Sequence, residues 1–201
     1  VESFAAAAKR VVAVGFDLVE IHAAHGYLIH QFLSPLSNTR DDEYGGSFEN
    51  RIRFIIEITE AVRKSIPESM PLFVRISASD WLDGGWTIDD SVELCMRLKE
   101  CGVDLIDVSS GGTSSGAPVP VGPGYQVPFA KQIREEAGIH TGAVGLITEA
   151  AQAESIIANG EADAIFMARE FLRNPRWPLQ AARELKATVN WPLQIVRGKL
   201  D

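Results

Sequence analysis

Residues 16–27 read FDLVEIHAAHGY, a short apolar run that leads directly into two histidines and a tyrosine. The run follows Gly15, a residue that interrupts regular structure, and its length and composition predict a β-strand over 16–22. The strand is therefore followed at once by side chains that donate hydrogen bonds or carry protons. This order, a short apolar strand and then a polar or glycine-rich stretch, recurs along the chain.

Strands and helices alternate through the rest of the sequence. The same reasoning predicts four further strands, over 72–77, 104–108, 140–144 and 163–167. A long polar loop is expected after the first strand, up to about residue 49. Apolar residues at helical spacing predict helices at the chain start, over 50–66, between the cap Thr87 and the stop Gly102, over 129–137, over the capped segment 148–158, and beyond Arg169. Such alternation is typical of a parallel sheet covered by helices.

Two architectures fit this alternation: an open doubly wound sheet and a closed TIM (β/α)₈ barrel. An open sheet usually has a glycine-rich first turn, and the sequence contains neither GxGxxG nor GxxxxGK[ST]. In a barrel, functional residues follow the carboxyl ends of the strands, as the polar stretches do here. A complete barrel takes about 250 residues. The 201 residues are therefore predicted to form a single domain, an N-terminally truncated barrel covering about strands 4 to 8.

Composition and charge indicate which kinds of partner the chain is not expected to bind. The net charge is −8 and the pI is about 5.1, so the chain repels nucleic-acid phosphates and is not expected to bind nucleic acid. No run of 18 apolar residues predicts a membrane span, and the first ten residues do not resemble a secretion signal. The cysteines, Cys95 and Cys101, fit no CxxC site, and Cys95 is predicted as a reduced, structural thiol. We therefore expect a cytoplasmic protein that acts on a small molecule.

The segment HAAHGY, residues 22–27, contains the strongest functional signal. The imidazoles of His22 and His25 can donate hydrogen bonds to a carbonyl oxygen, and Tyr27 can deliver a proton. The small residues between them leave room for a ligand close to the backbone. Two other interpretations remain open from the residues alone. The pair can be core histidines beside a half-buried tyrosine, or two ligands of a metal whose third ligand the sequence does not identify.

Arg75 lies in the middle of the apolar strand LFVRIS, residues 72–77. A cation among apolar neighbours is costly unless an anionic or polar group meets it. One hypothesis is an ion pair with an acidic residue of the sheet, such as Glu20 or Asp107. The other is a cation that faces an anionic cofactor ring, and the residues alone do not decide between them.

The last two predicted strands end in GAVG, residues 142–145, and MAR, residues 167–169. In barrels, the loops after strands seven and eight commonly bind a phosphate through backbone N–H groups. Gly145 and Ala168 have little side chain to obstruct a phosphate, and Arg169 can add a charged contact. Ordinary strand-to-helix turns remain the alternative. The loop SSGG, residues 109–112, is a weaker candidate for contacting a ligand.

Taken together, these motifs resemble the Old Yellow Enzyme family, the FMN-dependent NAD(P)H:flavin oxidoreductases, and within it the branch of bacterial NADPH dehydrogenases or ene-reductases. The resemblance covers nearly the whole chain. The matching stretches are GFDLVEIHAAHGYLIHQFLSPLSNTRDDEYGGSFENRIRF, LFVRISASDW, GVDLIDVSSGG, PGYQVPFAKQIR, TGAVGLIT and FMAREFLRNP. The first of these is long and specific, and it identifies the family more strongly than any single residue.

The resemblance implies a role for each candidate residue. His22 and His25 are expected to bind the substrate's carbonyl oxygen, with Ala23 and Ala24 beside them, and Tyr27 is expected to donate a proton. The remaining assignments concern the flavin and the neighbouring subunit. Arg75 is similar to the arginine beside the flavin's pyrimidine edge, Gly145, Ala168 and Arg169 match the phosphate site, and Arg197 resembles an arginine that reaches into the active site of another subunit.

The implied activity needs FMN as cofactor and NADPH as reductant. It is the reduction of the activated C=C bond of α,β-unsaturated carbonyl compounds, and also of nitro compounds, in a homo-oligomer. The family's N-terminal third has no counterpart in this sequence, so part of the flavin site is expected to be missing. Two alternatives are kept: a barrel fragment that binds no flavin and is inactive, and a metal-dependent hydrolase that uses the two histidines of HxxH.

Overall fold

One parallel sheet organises the molecule, and its strands are neighbours in the order in which they occur along the chain. The computed structural model describes residues 1–199. The strands are β1 (Val19–Ala23), β2 (Leu72–Ser77), β3 (Leu105–Ser109), β4 (His140–Ala143) and β5 (Ala164–Ile165). Sequential order of parallel strands is the arrangement of a (β/α)₈ barrel. The five strands therefore form part of such a barrel, as predicted.

Helices connect the strands and cover one face of the sheet. They are α1 (Glu2–Ala13), α2 (Leu28–Leu33), α3 (Phe48–Arg63), α4 (Ile88–Glu100), α5 (Val127–Ala137), α6 (Ala150–Ala158), α7 (Arg169–Arg173) and α8 (Trp177–Glu184), followed by a 3₁₀ turn (Val196–Gly198). Burial alternates along β1, whose Val19, Ile21 and Ala23 are buried while Glu20 and His22 are exposed. The hydrophobic core therefore lies between the sheet and its helices.

The opposite face of the sheet carries polar residues in a row. In the strand register, His22 pairs with Arg75, Arg75 pairs with Asp107, and Asp107 pairs with Gly142. Paired residues of neighbouring strands project from the same face of a sheet. The register therefore brings together chemical groups that lie far apart in the sequence.

Several predicted boundaries are confirmed. β2 has the predicted bounds, and α4 begins after Thr87, whose side chain accepts a hydrogen bond from the backbone N–H of Asp90 while the Asp90 carboxylate accepts one from that of Thr87. This reciprocal capping box is what a threonine followed by acidic residues predicts. Cys95 is buried in the face of α4 that packs on the sheet, as its position in an apolar stripe indicated.

The predicted first strand, over 16–22, begins too early. β1 starts only at Val19, whose register partner Leu72 is the first residue of β2, so the residues before Val19 have no strand beside them. Phe16 and Leu18 are exposed apolar residues outside the strand. The apolar run does contain a strand, as predicted, but the start of that strand is set by where the neighbouring strand begins.

Other elements also differ from the predictions. The polar loop after the first strand contains α2, whose single turn and a half is too short to show a helical period. The fifth strand is reduced to Ala164–Ile165. Helix α6 starts after Glu149 without a side-chain cap, because the Thr148 hydroxyl donates its hydrogen bond to the Glu149 carboxylate instead of accepting one from the helix.

Candidate active site

A cavity of about 450 Å³ opens at the carboxyl ends of the strands. It is the end of the sheet at which barrels carry their active sites. Residues that the sequence singled out line it, among them His25, Arg75, Ser109, Gly145, Ala168 and Arg169. The cavity is therefore lined by candidate residues that lie within or after all five strands.

The turn after β1 holds His25 in an unusual backbone conformation. The N–H of Tyr27 donates to the carbonyl of Ala24, and the two residues between them, His25 and Gly26, have φ angles of 60° and 75°. A Cβ at Gly26 would lie 2.4 Å from the carbonyl oxygen of Gly112, so only glycine fits there. A left-handed conformation is costly for a residue with a side chain, and such strained residues are concentrated at functional sites in proteins.

Three rings stand next to one another at this turn. The ring centroids of His22 and His25 are 5.4 Å apart, and those of His22 and Tyr27 are 5.3 Å apart. His25 lines the cavity, while His22 and Tyr27 lie exposed beside it. Among residues 1–199, no group of three histidine, cysteine or acidic side chains is arranged to hold a metal ion.

Both imidazoles are neutral at pH 7. Burial, and then the nearby charge of Arg75, lowers the pKa of His25 to about 4. His22 has exposed surface, but neighbouring groups still remove part of its water, and this desolvation, followed by the charge of Arg75, lowers its pKa. A neutral imidazole carries one N–H donor and one acceptor nitrogen, so each ring can donate one hydrogen bond to a ligand.

Ala23 and Ala24 are completely buried, so the structure places their side chains away from the cavity. Ala23 ends β1 on the helix-covered face, and the carbonyl of Ala24 accepts the hydrogen bond that closes the turn. Their small size lets the strand end and the turn pack against the core. Their contact with a substrate stays a prediction.

The structure confirms the ion pair that was one of the two hypotheses for Arg75, while its place beside a cofactor ring stays a prediction. Its Nε lies 3.0 Å from Oδ2 of Asp107 on β3, and its Nη2 donates to the hydroxyl of Ser109 over 2.8 Å. The same guanidinium lines the cavity, with its side chain 29% exposed. The ion pair therefore orients a cation toward the space in which a ligand would lie.

Asp107 holds Arg75 from a buried position. Burial raises the pKa of Asp107 to about 7, although the charge of Arg75 acts in the opposite direction. One oxygen, Oδ1, is buried and lacks a hydrogen-bond partner among the described residues. Glu20, the other predicted partner of Arg75, also has a raised pKa, because partial desolvation by the residues around it outweighs the arginine's charge.

The loops after β4 and β5 form the other side of the cavity. Gly145 has a φ angle of 128°, and a Cβ there would lie 3.0 Å from the ring of Tyr125. Ala168 and Arg169 are exposed at the start of α7. In the part of the chain that the structure describes, no carboxylate lies within 4.0 Å of the Arg169 guanidinium, which suits it to an anionic ligand.

Tyr125 and Gln126 are among the cavity-lining residues that sequence reasoning missed. The buried Gln126 accepts a hydrogen bond from the Ser110 hydroxyl over 2.7 Å and donates one to the Val144 carbonyl over 2.9 Å. It therefore joins the loops that follow β3 and β4. A lone glutamine before a helix carries no pattern that predicts such a link.

Arg197 is exposed in the 3₁₀ turn and is not among the residues that line this cavity. Its role in a neighbouring subunit stays a prediction. None of the helices within residues 1–199 combines the length and apolar character that crossing a bilayer requires.

Comparison with known proteins gives a family and several relatives. The model of the NADH:flavin oxidoreductase / NADH oxidase family matches residues 1–188. An NADPH dehydrogenase of Geobacillus sp. (strain WCH70) is 58% identical over 198 residues, which are 98% of this chain and 57% of that protein. The chain thus spans little more than half the length of the curated relatives it matches.

Solved structures are similar in fold. A 2-naphthoyl-CoA reductase in complex with 2-naphthoyl-CoA superimposes with a TM-score of 0.85 at 29% identity, covering 91% of this chain and 28% of that chain. Morphinone reductase in complex with tetrahydroNAD gives a TM-score of 0.73 at 29% identity, covering 95% and 49%. Since the family model spans nearly the whole chain, this protein belongs to the NADH:flavin oxidoreductase / NADH oxidase family.

Proposed function

We propose that this chain forms part of an FMN-dependent NADPH oxidoreductase that reduces the activated C=C bond of α,β-unsaturated carbonyl compounds and also reduces nitro compounds. One observation supports the proposal above all: the neutral imidazole of His25 and the guanidinium of Arg169 line the same cavity. No carboxylate among the described residues pairs with that guanidinium. The imidazole suits a carbonyl oxygen and the guanidinium suits a phosphate. Family membership and the names of the relatives support the same reaction class.

The residues present fit a flavin phosphate and ring. Arg169 would hold the phosphate together with the backbone N–H of Gly145, where the absence of a Cβ keeps the approach open. Arg75 would face the polar edge of the ring, because Asp107 and Ser109 orient its guanidinium. When bound, FMN supplies the means to accept a hydride from NADPH and deliver it to the substrate's β-carbon.

The two histidines bind and polarise the substrate. Because burial and Arg75 keep His22 and His25 neutral, each donates an N–H to the carbonyl oxygen without introducing a full charge. Hydrogen bonds to that oxygen strengthen as negative charge develops on it when the β-carbon is reduced. The pair therefore favours the enolate-like transition state over the ground state.

Tyr27 completes the reaction by supplying a proton. Its ring lies 5.3 Å from that of His22, and the residue is 63% exposed, so the hydroxyl is free to approach a ligand held by the histidines. The phenol O–H would protonate the substrate's α-carbon and recover its proton from solvent. Nitro compounds present oxygens that the same imidazole donors bind.

Further features of the whole protein belong to this proposal. The 201 residues contribute the C-terminal part of one FMN-binding barrel domain, and the whole protein is a homo-oligomer in which Arg197 reaches a neighbouring active site. The exposed position of Arg197 is compatible with such a contact. The free thiols of Cys95 and Cys101 suit a reducing compartment such as the cytoplasm.

The test compares the chain with a variant in which both His22 and His25 are replaced by alanine. After incubation with FMN and gel filtration, we expect the parent to retain an oxidised flavin band, to lose it with NADPH and to recover it with cyclohexenone. The double variant should retain the band and its bleaching but lose phenol binding and most of the recovery. Recovery at the parental rate would contradict the role given to the histidines.

A second candidate, a barrel fragment that binds no flavin, is favoured by a specific observation. The chain spans 57% of the Geobacillus relative, and β1 and β5 each pair with one strand only among the described residues. Unpaired edges of a sheet favour association with other chains. A chain that stays colourless and aggregates after addition of FMN would support this candidate.

A further inference from the structure

The strained turn that presents His25 is held by buried side chains from outside the turn. The backbone N–H of His25 donates to the hydroxyl of Ser77 over 2.9 Å, and the N–H of Gly26 donates to Nδ1 of His30, also over 2.9 Å. Ser77 in turn donates to the carbonyl of Gly111 over 2.7 Å. The backbone N–H groups of His25 and Gly26, the two residues in the left-handed conformation, therefore have fixed hydrogen-bond partners. A different backbone conformation would lose both hydrogen bonds.

The second of these partners, His30, is completely buried and has a defined tautomer. Because Nδ1 accepts the hydrogen bond from Gly26, that nitrogen carries no proton. The proton is then on Nε2, which lies 3.2 Å from Oδ1 of Asp80. The ring is thus clamped between a backbone N–H on one side and a carboxylate on the other.

Asp80 is also completely buried, and it connects three loops. Besides His30, it accepts hydrogen bonds from the hydroxyl of Ser34 over 2.5 Å, from the N–H of Trp86 over 2.8 Å and from the hydroxyl of Thr113 over 2.6 Å. Although burial acts to raise its pKa, these hydrogen bonds, led by that of His30, lower it to about 2. The carboxylate therefore stays charged and keeps accepting all four donors.

We propose that His30 and Asp80 are positioning residues that hold the His25–Gly26 turn and thereby aim the His25 imidazole into the cavity. Neither side chain lines that cavity, so both act through the turn. Thr113 brings the loop after β3 into the same cluster, next to Gly112, which packs against His25. The inference rests on the proposed function, and it explains why His25 has a strained backbone conformation.

Two replacements of His30 separate its two hydrogen bonds. In His30→Asn, the amide oxygen occupies the place of Nδ1 and can still accept from Gly26, whereas the bond to Asp80 is lost. In His30→Gln, the amide nitrogen can reach Asp80, but the acceptor for Gly26 is lost. Both variants remove the ring, so a general loss of packing affects them alike. Asp163→Ala, which removes a hydrogen-bonded carboxylate at the opposite end of the sheet, is the control.

The readout is the pH titration of the histidine ring signals by NMR, recorded on the chain without flavin. In the parent, we expect His25 to titrate near pH 4. In His30→Gln, the released turn exposes the ring to water and moves it from Arg75, so its pKa should rise by about 1–2 units toward the ordinary value. In His30→Asn, which keeps the acceptor for Gly26 but loses the bond that holds it to Asp80, the pKa of His25 should rise by a smaller amount. In Asp163→Ala it should change by less than about half a unit.

An unchanged pKa of His25 in folded His30→Gln would overturn the proposal, as would equal shifts in the Gln and Asn variants. If His30→Gln does not fold, Thr113→Val removes one donor to Asp80 at constant shape, and it should raise the pKa of His25 by a smaller amount. No rise in Thr113→Val would then contradict the proposal. Because the titration needs neither flavin nor substrate, its failure is distinct from failure of the proposed function.

Discussion

The two ends of the cavity are built differently. At the imidazole end, formed by His22, His25 and Tyr27, the turn that presents the rings is tied to completely buried polar side chains. At the guanidinium end, formed by Gly145, Ala168 and Arg169, the last two residues are exposed, and the arginine has no carboxylate partner among the described residues. The first end is therefore preorganised, whereas the second depends on its ligand.

This difference follows from what each end has to do. Stabilising charge in a transition state requires donors that are already in place, because reorganising them during the reaction raises the barrier. Anchoring an anion requires only that a cation be free to meet it, since the ion pair forms on binding. Substitutions that disturb the turn at the imidazole end should accordingly affect folding, whereas substitutions at the guanidinium end should affect ligand retention.

The largest effect is expected for Gly26→Ala at the imidazole end. The added Cβ would lie 2.4 Å from the Gly112 carbonyl oxygen, in a residue whose φ is 75°. Overpacking and left-handed strain together should reduce the free energy of unfolding by about 2–4 kcal/mol in urea denaturation. Gly46→Ala is the matched control, because Gly46 has a φ of 80° and nothing within 4 Å, and it should lose only about 1 kcal/mol. Equal losses in the two variants would refute the close packing of the loops.

A large effect on binding alone is expected for Arg169→Ala. Removing a charged hydrogen-bond donor to a phosphate should weaken FMN binding by about 1.5–3 kcal/mol, or about tenfold to a hundredfold, measured by quenching of flavin fluorescence. Stability without FMN should hardly change, because the side chain is exposed. Arg134→Ala is the control, since Arg134 pairs with Asp163 at the opposite end of the sheet. A variant that binds FMN like its parent would contradict the phosphate site.

A smaller effect concerns the pH dependence of stability. The pKa of His25 is about 4 in the folded chain, against the ordinary histidine value of 6.5, so between these pH values the unfolded chain binds a proton that the folded chain does not. This part of the stability is complete above pH 6.5 and declines as the pH falls to about 4. One whole proton taken up on unfolding gives a slope of about 1.4 kcal/mol per pH unit. His25→Asn should reduce the slope of the unfolding free energy against pH, between pH 6.5 and 4, by less than this amount. Identical slopes in parent and variant would show that the ring is solvated.

The smallest effect is expected for Ala168→Gly at the guanidinium end. Ala168 is exposed at the start of α7, and any contact with a phosphate there uses the backbone N–H. The substitution should change FMN binding by less than about 0.5 kcal/mol, roughly twofold. A change as large as that of Arg169→Ala would show that the alanine methyl group takes part in the site.

Local patterns predicted much of the fold. The β2 bounds and the Thr87 cap of α4 were confirmed because they depend on nearest neighbours: an apolar run and a capping threonine. The start of β1 was wrong because a strand needs a partner, and none lies beside Phe16. Helix α2 was missed because six residues are too few to show a period.

The sequence predicted which chemical groups form the candidate site, but not the contacts that hold those groups in place. The position of His25, Arg75 and Arg169 after or within strands indicated the cavity, since parallel strands all end at one edge. The contact between His30 and Asp80 joins residues that are 50 positions apart, and the link made by Gln126 has no sequence pattern. Contacts of this kind depend on which loops become neighbours after folding.

By itself, the sequence determined that a parallel α/β sheet forms and which residue types follow its strands, because apolar periodicity and turn chemistry act over a few residues. Tertiary structure alone decided the left-handed conformation of His25, the choice of Asp107 rather than Glu20 as the ion-pair partner of Arg75, and the lowered pKa of the imidazoles. Each of these depends on burial and on charges from other strands, which exist only once the sheet has assembled.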